Sequence, residues 1–177
     1  MKRLLLPLLL AFLSTLVTGR ADDAALTVAI SIPHTDDHPG ILNWAATDHN
    51  AHFHVVLTNV SNEPKRLFQE WCSWGYSALS FEITDEHGKT WIARKGPNGW
   101  TMNYPAYWTV PPQECFVIDV YFADHQIWQD QFWLPPGHPT GRVTLKAIYR
   151  VQPDESSTKF GVWTGTSTSK PVECLIK

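Results

Sequence analysis

The sequence predicts an all-β chain folded as an antiparallel β-sandwich of about seven strands. Three observations predict it. Thirteen prolines and ten glycines break the chain at short intervals, and both residues favour turns over the interiors of helices and strands. Between the breaks, β-branched, aliphatic and aromatic residues alternate with polar ones, the spacing that turns every second side chain to the same face of a strand. No stretch carries a convincing helical period of apolar residues.

Each strand can be justified in chain order. Residues 26–32 form the first, and residues 52–60 the second, with Phe53, Val55 and Leu57 on one face and His52 and His54 on the other. The polar stretch 59–64 then turns the chain, because Asn, Ser and Pro favour turn geometry and Pro64 cannot donate to a ladder. In 79–84, Leu79, Phe81 and Ile83 point inward against Ser80, Glu82 and Thr84. Residues 85–89 close a hairpin onto 90–94, with Gly88 available for a positive φ. Residues 95–113, KGPNGWTMNYPAYWTVPPQ, read as a long connection.

Beyond that connection, Phe116, Ile118, Val120 and Phe122 alternate with Val117, Asp119 and Tyr121. A second aromatic connection ends in Pro135, Pro136 and Gly137, and Val143, Leu145, Ala147, Tyr149 and Val151 then alternate with Thr144, Lys146, Ile148 and Arg150. A Thr/Ser-rich bend leads to the last strand, 172–176. Strands of this length, each with one apolar face and a turn signal at its end, favour the immunoglobulin-like arrangement of a sandwich.

Residues 1–21 read as a signal peptide. Lys2 and Arg3 supply a positive end, residues 4–17 an apolar run, and Gly19 and Ala21 the small residues before a cleavage site. Residues 22–177 remain as a single β-sandwich domain, expected to be secreted or periplasmic and to have no membrane span after signal removal. Cleavage after Gly19 is also compatible with the pattern; a cut after Ala21 takes Lys2, Arg3 and Arg20 from the 14 basic residues and keeps all 17 acidic ones, so the net charge moves from −3 to −6. Such a chain has no electrostatic reason to bind nucleic acid or anionic lipid.

The strand alternation also constrains the three cysteines. Cys174 shares a face with Val172 and Ile176 and points inward, whereas Cys115 shares a face with Asp119 and points outward. A Cys115–Cys174 bridge is therefore disfavoured, and Cys72 with Cys115 is the better pairing for an exported chain.

The segments LTNVSNEP, SWGYSALSFEITDEHGKTW, TVPPQECFVIDV, GRVTLKAIYRV and VWTGTSTSKPV together resemble uncharacterised exported bacterial proteins with one immunoglobulin-like domain. More distantly they resemble BsuPI-type proteinase-inhibitor domains, which share the LTN…P strand and the later Pro-Gly-bounded strands. VPPQE stands where that pattern has Pro-Gly-Glu, which alters one turn. The resemblance implies a fold and does not transfer a function.

Two groups of residues could carry chemistry. His52 and His54, two apart on one strand face, have the spacing of a His-x-His pair that chelates zinc or copper, with His49, His34, His38 and nearby aspartates as further ligands. The favoured alternative is a wet strand face that has accumulated histidines. Trp100, Tyr104, Tyr107 and Trp108 concentrate aromatics in the first long connection, where they could stack on sugar rings or anchor a protein, or pack over one end of the sandwich. Trp91 and Trp163 read as core. There is no Gly-x-Ser-x-Gly elbow and no phosphate-cradling glycine loop. The acidic pairs Asp85-Glu86 and Asp154-Glu155 fall in apparent turns, and Asn59-Val60-Ser61 fits the glycosylation triplet.

The expectation is an exported, non-catalytic binding or interaction module at the cell envelope or outside the cell, with a protein or glycan partner and no cofactor. Three alternatives stand beside it: a metal-binding protein using His52 and His54, a carbohydrate-binding module, and a proteinase inhibitor.

Overall fold

The computed structural model describes residues 25–34, 40–42, 53–122, 128–130, 139 and 141–176. Residues 1–21, expected to be a signal peptide, and His38, His49 and His52 lie outside them. The described residues form twelve strands and two short helices. In chain order these are β1 (Leu26–Ser31), β2 (Ile41–Leu42), β3 (Phe53–Asn59), β4 (Lys65–Phe68), α1 (Ser73–Tyr76), β5 (Leu79–Asp85) and β6 (Thr90–Lys95). They continue with β7 (Tyr107–Val110), β8 (Cys115–Val120), β9 (Trp128–Asp130), β10 (Gly141–Val151), α2 (Glu155–Phe160), β11 (Gly165–Thr168) and β12 (Val172–Ile176).

The result is an all-β sandwich. One layer is an antiparallel sheet in the order β1-β3-β8, and the other runs β2-β12-β10-β5-β6-β9, with β11 also paired to β10. A two-stranded ribbon of β4 and β7 lies beside them. Phe53, Val55 and Leu57 of β3 are fully buried, as are Phe81 and Ile83 of β5 and Leu145 and Ala147 of β10. The two layers meet where Phe53 packs edge-on against Phe81 at 5.4 Å. Burying an aromatic of this size contributes about 2–3 kcal/mol relative to leaving it exposed, so the period-two pattern fixes which face each strand turns inward.

All seven strands read from the sequence are present, with ends shifted by no more than two residues. The five others are two to four residues long, too short for a period to show. One is β7, which occupies part of the stretch expected to be a connection and pairs with β4 from Lys65↔Val110 to Phe68↔Tyr107. Another is β11, in the Thr/Ser-rich bend. Together β11 and β12 run along one edge of β10, interrupted at Ser169, Lys170 and Pro171. Ser169 repairs the interruption: its backbone N–H donates to the Ala147 carbonyl at 2.9 Å, and its Oγ accepts from the Ala147 N–H at 2.9 Å.

Two further expectations need correction, and the Asn59 triplet takes on a structural role. Asp154 and Glu155 are exposed but start a helix rather than a turn: the Asp154 carboxylate accepts from the Ser157 N–H at 2.6 Å, a capping box that begins α2. Cys72 and Cys115 do not pair. Cys72 is fully buried with its thiol donating to the Gln69 carbonyl at 3.1 Å, while Cys115 is exposed on β8, and all three cysteines are free thiols. Asn59, in the glycosylation triplet, is fully buried, and its Nδ2 donates to the carbonyls of Glu63, Val110 and Pro111. That amide ties the turn after β3 to the turn before β8 and is closed to modification in the folded chain.

Candidate functional site

β6 ends in a charge on its inner face. Trp91, Ala93 and Lys95 share that face by alternation; the first two are buried, and the Lys95 side chain is only 8 % exposed. A buried ammonium needs a partner, and Lys95 has several. Its Nζ donates to Glu70 Oε1 at 2.5 Å, and it lies 5.2 Å from the centroid of the Tyr76 ring and 5.6 Å from that of Trp128, within cation–π range of both. Lys95 and Trp128 are opposite each other in the β6–β9 ladder, which brings the two side chains to one face.

These groups form the floor and walls of a cleft of about 410 Å³, lined by Trp71, Tyr76, Trp100 and Trp128 together with Glu70, Lys95, Asn98, Asp119 and Tyr121. Small-molecule sites run from roughly 300 to 1,000 Å³ and combine apolar walls with a few placed polar groups; this cleft has both. Trp128 is anchored from behind by Phe81 and Phe122, with ring centroids at 5.3 and 5.5 Å. Tyr76 reaches the cleft from α1, which can lie against the end of β4 because position 75 is glycine: a Cβ there would stand 2.3 Å from the Gln69 carbonyl oxygen. Tyr76 in turn holds Trp100 edge-to-face at 5.4 Å.

The four aromatics of the first connection separate. Trp100 lines the cleft. Tyr104, 61 % exposed, meets the cleft residue Trp71 edge-on at 5.2 Å and so extends its rim. Tyr107 and Trp108, adjacent on β7, point to opposite sides: Tyr107 sits beneath the Arg66 guanidinium and against Phe160, and Trp108 packs 5.9 Å from Phe116. Trp91 and Trp163 are in the core, as the alternation predicts.

His54 stands at the edge of the same region. On the outer face of the β1-β3-β8 sheet it is paired in register with Asp119, and its Nδ1 is 2.8 Å from Asp119 Oδ1. An ionised carboxylate only accepts, so Nδ1 is the donor in this hydrogen bond. Asp119 therefore joins the histidine face to the cleft. Among the described residues no three His, Cys, Asp or Glu side chains come close enough together to hold a metal ion.

Of the aromatics singled out in the sequence, Trp100 lines the cleft and Tyr104 stands at its rim, while Trp71, Tyr76, Trp128, Lys95 and Glu70 were not singled out. The available signals were the aromatic density of EWCSWGY and a lysine at the inward parity of a strand. No family model matches the chain, and no curated protein matches it.

Proposed function

We propose that the protein is an exported, non-catalytic binding module whose ligand occupies the cleft between Trp71, Tyr76, Trp100 and Trp128. The observation that carries this reading is the cleft itself. Aromatic walls converge there on a Lys95–Glu70 pair whose charges are engaged with one another. Rigid aromatic side chains supply contact area at low entropic cost, and an internally paired floor offers hydrogen bonds without a free nucleophile. Export rests on the leader-like residues 1–21. Among the described residues, no helix is long and apolar enough to cross a membrane.

A ligand-observed NMR screen of a chemically mixed library tests the site, with hits mapped on the indole N–H signals of nitrogen-15-labelled protein. Hits are expected to shift the indoles of Trp71, Trp100 and Trp128. A library without hits, or hits that move only other indoles, refutes the reading.

One observation favours a second reading, metal binding through His52 and His54. Metal-ligating histidines donate their other ring N–H to a carboxylate, as His54 Nδ1 does to Asp119. Elemental analysis of untagged protein after zinc or copper loading should then give stoichiometric metal that His54→Ala loses. Protein that stays metal-free rejects this second reading.

A further inference from the structure

Resting on the cleft as the binding site, we infer that its ligand is a neutral oligosaccharide. The polar groups of the cleft select among ligand classes. Two carboxylates, Glu70 and Asp119, face one ammonium, Lys95, which is already bonded to Glu70. An anionic ligand meets repulsion from Asp119 and finds the sole lining ammonium committed. A quaternary ammonium would seek the faces of Tyr76 and Trp128, but the Lys95 ammonium already lies within range of both, and displacing it would strand Glu70. A wholly apolar ligand would cut the Glu70 and Asp119 carboxylates and the Asn98 amide off from water, leaving Glu70 only its bond to Lys95 and Asp119 only its bond to His54 to offset the lost hydration.

A pyranose escapes all three penalties. Its hydroxyls donate to Glu70 and Asp119 and accept from Asn98 and from the remaining Lys95 N–H groups, while its C–H face packs on an indole. It carries no charge to be repelled. The rim adds a length requirement. Trp71 and Tyr104, 47 % and 61 % exposed and packed edge-on against each other, continue the aromatic surface out of the cleft. A chain of several sugar units covers both cleft and rim, whereas a single sugar covers only the first.

Isothermal titration calorimetry with gluco-, xylo-, manno- and chito-oligosaccharides, from disaccharide to hexasaccharide, tests this, with phosphocholine and inorganic phosphate as the charged probes. At least one neutral series is expected to bind, with affinity rising with length. Trp100→Ala should weaken the hexasaccharide about tenfold or more, equivalent to about 1.4 kcal/mol. Trp71→Ala, at a half-exposed position that the fold tolerates, should weaken the hexasaccharide more than the disaccharide. Trp108→Ala, away from the cleft, should change nothing. If every saccharide is silent while phosphocholine or phosphate shifts the Trp100 indole, the saccharide inference falls and the cleft remains a binding site. If neither these probes nor the mixed library moves the cleft indoles, both fall together.

Discussion

Removing the two charges of the cleft one at a time should have unequal effects, because the partners are unequally shielded. The Lys95 side chain is 8 % exposed and that of Glu70 33 %. Glu70→Gln leaves an ammonium with little access to water. Stranding one partner of a buried pair costs about 3–5 kcal/mol; here the Tyr76 and Trp128 rings recover about 0.5–1 kcal/mol each, and the amide oxygen recovers some more. The expected loss is about 2 kcal/mol. Lys95→Met keeps most of the aliphatic stem among the rings and leaves a carboxylate that water reaches, so the expected loss is about 1 kcal/mol.

The double variant has no stranded charge and should lie within about 1 kcal/mol of the parent protein, which makes the coupling between the two sites about 3 kcal/mol. Urea denaturation of the four proteins, followed by tryptophan fluorescence, measures all of these terms. Lys95→Met costing more than Glu70→Gln, or a double variant equal to the sum of the singles, would refute the claim that unequal burial governs this pair.

Three other perturbations test the frame around the cleft. Asn59→Asp preserves shape but turns acceptor lone pairs towards three carbonyls that now receive Nδ2–H; chemical denaturation should show a loss of about 3–5 kcal/mol, and a loss under 1 would contradict the hub role. Gly75→Ala drives a Cβ to 2.3 Å from backbone and should lower stability by roughly 2–3 kcal/mol, with the Trp100 indole signal moving as Tyr76 is displaced; an unshifted melting temperature would count against the close approach of α1. At alkaline pH the buried thiol of Cys174 matters: burial raises its pKa from 9.0 to about 12, and burial, then the charges of Glu70 and Cys72, raise that of Tyr149. The unfolded chain releases these protons first, so stability is intact below pH about 9 and falls as pH rises towards 12, by roughly 4 kcal/mol for Cys174 alone. Urea midpoints measured from pH 8 to 11 should fall, less steeply in Cys174→Ala, and parallel curves would refute the assignment.

The layers of this fold were legible because burial and alternation coincide. In β3, β5 and β10 the fully buried positions are apolar apart from Asn59 at the end of β3, and the pattern runs for at least seven residues. β4 and β7 break that coincidence. Leu67 and Phe68 are both buried although adjacent, and Trp108 and Thr109 are both exposed, so neither segment announces a strand. Gln113 is a similar case. It takes φ 64° before β8, a conformation that favours glycine, and the turn is held instead by its N–H donating to the Asn59 carbonyl at 2.8 Å. Tertiary hydrogen bonds supply there what local propensity does not.

The cleft was hidden for a different reason: its lining comes from segments around positions 70–76, 95–100, 119–121 and 128, which only the sandwich brings together. Its clearest local trace, beside the aromatic density of EWCSWGY, is Lys95, a charge where the alternation of Trp91 and Ala93 calls for another apolar side chain. Stability does not account for that choice, since a buried ion pair is on average no better than well-packed apolar residues of similar volume, and a leucine or methionine at 95 would extend the Phe81–Trp128 cluster. What the lysine does provide is a polar floor beneath aromatic walls at the open end of the sheet. A residue that breaks the pattern without strengthening the fold is where a binding function is to be sought, and Lys95 lines the cleft between Trp71, Tyr76, Trp100 and Trp128.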